Sequence, residues 1–221
     1  MLIGDVDKIG CFDGQGTGSP STDLDYALVE GEDYLPDIDV SRASVASAAQ
    51  LDSLVEKILS YEQNVLAAGQ DWLGKAYFIA SADNRHHQVP EATHAHVMAK
   101  LRQRGTDCDS LWLYYRQGTP INSALNSGRG WVTYSGHGSE NSWADPSPAY
   151  TVANVHSLAN EGMIPYVQTY ACDCGDFASY SSPECFSEAW IRSGRRGRHR
   201  ARGVFGDFLL DRGRHAGAPG V

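Results

Sequence analysis

Two short stretches hold the residues whose types and spacing could do chemistry. One, Trp131-Val132-Thr133-Tyr134-Ser135-Gly136-His137-Gly138-Ser139-Glu140, is a β-branched and aromatic run that ends at a histidine between glycines. The other, Tyr166-Val167-Gln168-Thr169-Tyr170-Ala171-Cys172-Asp173-Cys174-Gly175-Asp176-Phe177, is a similar run that ends at cysteines. A histidine beside a cysteine makes a nucleophile. A free thiol has a pKa near ~8.5 and only the thiolate attacks, so an imidazole that takes the proton makes it competent at neutral pH. The imidazolium can later protonate a leaving amine. Gly136 and Gly138 let the backbone turn tightly and approach a substrate carbonyl, and the N–H groups of Gly138 and the cysteine could hold an oxyanion. Taken singly, His137 also reads as a turn histidine and Cys172 as a core cysteine. Their place at successive strand ends is what points to a pair. Side chains two residues apart in an extended segment point the same way, so spacing leaves both Cys172 and Cys174 open as the nucleophile.

Positioning these residues requires strands and crossovers. Residues 151–162 carry Val152, Val155, Leu158 and Ala159 at helical spacing, which predicts a crossover helix between two parallel strands. Lys75 to Asp83 reads as a central strand ending in a carboxylate, Leu111 to Tyr115 as another, and a helix starts at Ile121. The alternation predicts an α/β fold with four parallel strands, and Asp83, His137 and Cys172 all fall at carboxyl ends, where ligands bind in such sheets. A carboxylate on the far imidazole nitrogen would fix the tautomer of His137; Asp83 equally suits a turn or helix cap. Upstream, Ile38 to Ser41 reads as a strand and Ser44 to Tyr61 as an amphipathic helix with Leu51, Leu54, Val55, Ile58 and Leu59 on one stripe.

Other clusters are weaker. Gly14-Gln15-Gly16-Thr17-Gly18 lacks the lysine and helix of a phosphate loop and reads as a turn. Asp23, Asp25, Glu30, Glu32 and Asp33 form an acidic loop of the kind that can hold calcium, or a solvated loop. His94 and His96, with Cys172 and Cys174, are a candidate zinc set, but i,i+2 positions on a helix diverge. No apolar run approaches the ~18 residues that span a bilayer, and no signal peptide is visible at Met1-Leu2-Ile3-Gly4-Asp5. Of the formal charge of −9, residues 191–221 contribute eight arginines and two aspartates, a net +6, leaving −15 on the rest. That acidic body excludes nucleic acid as the expected partner. Five cysteines form no even disulfide framework.

The motifs Gly136-His137-Gly138-Ser139-Glu140-Asn141-Ser142-Trp143, Ala171 to Phe177, and Cys185-Phe186-Ser187-Glu188-Ala189 together resemble the gingipain-type cysteine peptidases, peptidase family C25. The resemblance extends to about residue 192. It implies a caspase-like, mostly parallel sheet flanked by helices, here truncated at both ends. Residues 1–66 would be the C-terminal part of a small first subdomain, 67–192 the catalytic subdomain, and 193–221 an aberrant basic tail, as from a frameshift. It implies a cysteine endopeptidase acting on polypeptides, with His137 as base, Cys172 as nucleophile in preference to Cys174, and Asp83 as the orienting acid. Gly138 and Cys172 would form the oxyanion hole. Glu91, just ahead of a helix, would recognise a basic P1 side chain, and Trp143 is a further candidate substrate contact. The resemblance requires no cofactor for the chemistry, admits structural calcium, and implies an extracellular or cell-surface setting. The alternative is a catalytically silent remnant that binds calcium or a protein. Oligomeric state is not legible.

Overall fold

The computed structural model describes residues 1–14, 19, 21–64, 69–160, 162–178, 182–193 and 204–205. Along the chain, β1 (Leu2–Ile3), β2 (Phe12–Asp13), β3 (Ser21–Thr22) and β4 (Arg42–Ala43) lead into α1 (Ala48–Asn64). There follow β5 (Lys75–Ala80), α2 (Gln88–Arg102), β6 (Asp107–Trp112), β7 (Gln117–Gly118), α3 (Ile121–Asn126) and β8 (Trp131–Ser135). Two hairpin pieces, β9 (Gly138–Ser139) and β10 (Ser142–Trp143), precede β11 (Tyr150–Thr151), α4 (Val152–Ser157), β12 (Tyr166–Tyr170), α5 (Phe186–Arg192) and β13 (Val204–Phe205).

The main sheet has the order β13-β12-β8-β5-β6-β7. Every pairing in it is parallel except the short return of β7 on β6. The four expected parallel strands are therefore its centre. Their side chains alternate between faces. Ala76 and Phe78 pack with Met98 and Leu101 of α2, whereas Tyr77 and Ile79 pack in the main core with Ile121, Val155, Phe186 and Trp190. Hence α2 covers one face while α3, α4 and α5 cover the other. The chain leaves β5 toward β6 and leaves β8 toward β12, so the order reverses between β5 and β8. That reversal opens the crevice where ligands bind in α/β sheets.

Several boundaries differ from the sequence reading. The segment 38–41 is not a strand; β1 pairs instead with Arg42–Ala43, and Ile38 is half exposed. The strand expected at 111–115 lies at Asp107–Trp112, because the chain turns at Leu113–Arg116, with Arg116 at φ +52°. Tyr114 stacks on His87 at 3.7 Å rather than continuing the ladder. The crossover helix is the six-residue α4, started by a reciprocal cap between Thr151 and Asn154. On α1 only part of the apolar stripe is used: Leu54 is buried, but Val55, Ile58 and Leu59 are exposed. The basic stretch from 194 onward falls outside the described residues apart from the backbone of β13.

The N-terminal segment is joined to α5 by a buried polar network. Arg192 Nη2 donates to Asp5 Oδ2 at 2.6 Å and Glu188 Oε1 at 2.7 Å, and Arg192 Nε donates to the Ser44 carbonyl at 2.9 Å. Ser44 Oγ donates to Glu188 as well. Burial pushes the Glu188 carboxyl up, against the opposing pull of Ser44 and Arg192. Lys57 of α1, itself buried, donates to the carbonyls of Trp190 at 3.1 Å and Ile191 at 2.6 Å. A cation there satisfies the open carbonyls at the C-terminal end of α5. Removing one partner of a buried ion pair strands the other, which costs about 3–5 kcal/mol. Arg192→Met is therefore expected to lower stability by roughly that amount in equilibrium urea unfolding; a change within measurement error would show that the network contributes nothing net.

Candidate active site

The geometry begins with the ladder. Ala80, Ser135 and Tyr170 lie in register across β5, β8 and β12, and beyond them Ser81 N–H donates to the Ser135 carbonyl at 2.9 Å and Gly136 N–H to the Tyr170 carbonyl at 3.1 Å. The three strand ends are thus fixed to one another before any loop begins. From β8, His137 emerges with its side chain 63% exposed, and its Nε2 lies 3.1 Å from Asp83 Oδ2. Asp83 Oδ1 also accepts from the N–H groups of Arg85 at 2.7 Å and His86 at 3.2 Å. Those bonds, first Arg85 N–H and then His137, hold the Asp83 carboxyl below its ordinary value, so it stays ionised and keeps the ring oriented. The expected Asp83–His137 pairing is present, and it leaves Nδ1 as the ring nitrogen facing the opposite way.

A second carboxylate had no distinguishing sequence signal. Asp145 Oδ2 accepts from the His137 backbone N–H at 3.1 Å and from Ser81 Oγ. Tyr134 Oη donates to the His137 carbonyl at 2.7 Å. Both ends of the His137 peptide unit are therefore held. Gly136 is required by this crowding, since a Cβ there would lie 2.5 Å from Tyr134 Oη and 2.6 Å from Asp145 Oδ2.

The cysteines are separated by one backbone torsion. Asp173 sits at φ +58°, which breaks the extended run, so Cys172 is exposed while Cys174 is buried. Cys174 Sγ points at the Ser142 carbonyl 3.5 Å away, and its own carbonyl accepts from Ser187 N–H at 2.9 Å and Ser187 Oγ at 2.8 Å. The loop continues to Asp176, which accepts from Ser21 Oγ at 2.7 Å, and to Phe177, whose ring lies 4.8 Å below the Arg42 guanidinium. Asp23 accepts along the edge of that guanidinium, from Nε at 2.7 Å and Nη2 at 2.6 Å. Neither brace was legible, because Ser21 and Arg42 lie more than a hundred residues away. The histidine and cysteine loops meet at Gly138, where a Cβ would lie 2.4 Å from the Cys172 carbonyl oxygen and 2.6 Å from Cys174 Sγ.

Two expected substrate contacts are corrected. Trp143 is fully buried. It stacks on Tyr134 at 4.6 Å, packs against Phe186 and Trp190, and donates Nε1 to Thr169 Oγ1 at 3.2 Å. It supports the floor of the site and faces no substrate. Glu91 lies 2.9 Å from His87 Nδ1 on the first turns of α2 and is not part of the cavity beside His137. The acidic loop does not converge either. Asp23 is taken by Arg42, Asp33 by Leu35 N–H and Asp37 by the N–H groups of Val29 and Glu30. Among the described residues no three His, Cys, Asp or Glu side chains gather to hold a metal. In particular, His94, His96, Cys172 and Cys174 are not brought together as a metal set. Among the same residues no helix is long and apolar enough to cross a membrane.

His137 and the exposed Cys172 thus follow neighbouring strands at the carboxyl edge of a mostly parallel sheet in an α/β fold. The chain belongs to peptidase family C25, whose family model matches residues 1–205. It is 30% identical over 203 residues to Gingipain R2 and 32% identical over 198 residues to Lys-gingipain HG66, both of Porphyromonas gingivalis. These matches take in 90% and 89% of the chain, and the chain spans 26% and 11% of those curated relatives. In three dimensions it matches a solved protease with a TM-score of 0.78, at 30% identity, covering 89% of this chain and 42% of that one. It also matches the crystal structure of the Arg-specific cysteine proteinase gingipain R with a TM-score of 0.73, at 28% identity, covering 92% and 46%.

Because backbone and sulfur atoms surround the position of the missing Cβ, Gly138→Ala must push the cysteine loop. Overpacking of this kind costs about 1–3 kcal/mol. Thermal unfolding should show the loss, and alkylation of Cys174 by iodoacetamide should become faster as its packing against Ser142 and Gly138 loosens. Unchanged stability and reactivity would mean that the two loops are not in contact.

Proposed function

We propose that the chain carries the catalytic centre of a cysteine endopeptidase, with Cys172 as nucleophile, His137 as general base and acid, and Asp83 as the residue that orients His137. The observation that carries the reading is that the Asp83-bound His137 and Cys172, the exposed member of the two candidate cysteines, follow neighbouring strands held in register. With Nε2 committed to Asp83, Nδ1 of His137 takes the Cys172 proton, and the thiolate attacks the scissile carbonyl carbon. The N–H groups of Gly138 and Cys172 receive the oxyanion. As the tetrahedral adduct collapses, the C–N bond breaks, the His137 imidazolium protonates the departing amine, and a thioester remains on Cys172. His137 then removes a proton from water, which attacks the thioester; the acid product leaves and the thiol is restored.

Burial of Cys174 against Ser142 supports Cys172 over Cys174, since a thiol enclosed by protein cannot reach a peptide carbonyl. The relatives' names carry Arg and Lys preferences, but the basic P1 preference expected from Glu91 has no support in its placement beside His87. Similarity to the gingipains supports polypeptide substrates and an extracellular or cell-surface setting.

Nucleophile and base act as a unit, so Cys172→Ala and His137→Ala should each reduce peptide hydrolysis to background. Cys174→Ser should retain turnover. Asp83→Asn should lower kcat/KM by on the order of 10²–10⁴-fold. A Cys172→Ala protein with wild-type turnover, or a mechanism-based inhibitor whose adduct maps to Cys174, overturns the assignment.

A further inference from the structure

The ladder between β5 and β8 ends with the bond from Ser81 N–H to the Ser135 carbonyl. Beyond it the two chains part. One enters the turn in which Asp83 Oδ1 accepts from Arg85 and His86, and the other enters the turn that carries His137 between glycines. Across the gap Asp83 Oδ2 lies 3.1 Å from His137 Nε2, with the His137 side chain 63% exposed. An ion pair so open to water contributes little and cannot set its own geometry. The spacing of the two turns needs another support.

Asp145, in the loop between β10 and β11, reaches both turns. Its Oδ2 accepts from the His137 N–H at 3.1 Å and from the Ser81 hydroxyl. Ser81 is 3% exposed, and with its proton given to Asp145 its Oγ accepts the Asp83 N–H at 2.9 Å. A continuous chain therefore runs from Asp83 N–H through Ser81 Oγ–H to Asp145 Oδ2, where the N–H of His137 joins it. Its polarity is consistent at every link. A carboxylate only accepts, so one oxygen can draw in two donors, and bonds to a carboxylate are stronger than neutral ones.

The loop that carries Asp145 is itself seated. Ala144 N–H donates to the His137 carbonyl at 2.9 Å, the same oxygen that accepts from Tyr134 Oη at 2.7 Å. Tyr134 is fully buried in β8, which ties this turn to the core. Gly136 leaves the space that Oδ2 occupies, since a Cβ there would lie 2.6 Å from it. Withdrawing the carboxylate would break both bonds at once and leave the buried Ser81 hydroxyl without its acceptor.

We propose that Asp145 is a positioning residue that, through Ser81, couples the Asp83 turn to the His137 turn and so sets the spacing of acid and base. The inference rests on the peptidase reading for its effect on turnover, but the coupling can be measured without catalysis. Amide hydrogen exchange in the full chain, followed residue by residue by NMR, reads it directly. In Asp145→Ala the amides of both His137 and Asp83 should exchange at least about tenfold faster. The Asp83 amide has its bond to Ser81 and not to Asp145, so its acceleration reports a freed Ser81 hydroxyl that no longer holds its lone pair toward Asp83. Ser81→Ala should free the Asp83 amide and leave the His137 amide as in the wild-type chain. In hydrolysis of fluorescein-labelled casein, Asp145→Ala should lower kcat on the order of 10²-fold with KM nearly unchanged, because a misplacement of about an ångström costs that much. Asp145→Asn, which keeps an acceptor oxygen without the charge, should fall between the two. The Asp145→Ala/Ser81→Ala double variant should be no slower than Asp145→Ala, since both cut one chain.

Exchange in Asp145→Ala that quickens at His137 alone, or at neither residue, overturns the proposal. So does a wild-type kcat in that variant, or a loss confined to KM. Should Asp145→Ala not fold, Asp145→Asn and Ser81→Ala carry the same measurements, and unchanged Asp83 exchange in both overturns it. A wild-type chain that hydrolyses no casein removes the peptidase reading, and the exchange rates still decide the coupling.

Discussion

The structure depends on β8 being hydrogen-bonded on both sides by parallel strands. Its residues Trp131 to Ser135 pair with β5 on one edge and with β12 on the other. A strand held on both edges cannot slip without moving its inward set of side chains to the wrong face. Val132 and Tyr134 are fully buried on the α3–α5 side, so the register is fixed by the core. The consequence reaches the chemistry directly. Asp83, His137 and Cys172 each follow one of three neighbouring strands within three residues of its end, and their relative placement is set by the ladder rather than by loop conformation. Side chains delivered from strand ends are held more precisely than those on free loops.

The loops add what the ladder cannot. Two carboxylates act on His137 in different ways: Asp83 holds the ring and Asp145 holds the backbone N–H. On the cysteine side, a single residue in the left-handed region, Asp173, turns one thiol outward and the other inward. Such a backbone costs something for a residue with a Cβ, and it persists because neighbours over-determine it. Here those neighbours are Gly138 pressed against the loop, Ser187 bonding the Cys174 carbonyl, and Ser21 with Arg42 bracing Asp176 and Phe177.

Beneath the site lies an aromatic cluster in which Trp143 touches Tyr134, Tyr150, Phe186 and Trp190. It joins the strand that delivers His137 to the helix that follows the cysteine loop. A buried polar group in such a cluster needs a partner, and Thr169 of β12 accepts the Trp143 indole N–H. The family motif thus has two functions within one short segment: its histidine faces solvent, whereas its tryptophan closes the core.

The sequence by itself determined the α/β class, the parallel centre of the sheet, and the arrival of Asp83, His137 and Cys172 at one edge. Each of these follows from local signals, namely β-branched runs, helical spacing, and chemistry-bearing residues at the ends of strands. Strand boundaries at 38–43 and 107–115 were misplaced, because pairing partners and not composition choose where a strand stops. The roles of Trp143 and Glu91 were misread for a related reason. A tryptophan beside a histidine motif is the same letter whether it faces substrate or core, and an acid ahead of a helix says nothing of the histidine that will take it. Only the tertiary structure separated Cys172 from Cys174, since a left-handed residue between them has no signature when it is not glycine. Only the tertiary structure brought Asp145, Ser21 and Arg42 to the site, and it alone placed His94 beside Ser135. Those contacts join residues from 41 to 155 positions apart wherever both partners are side chains. Periodicity reports which face of its own element a residue occupies, and packing alone decides what stands opposite.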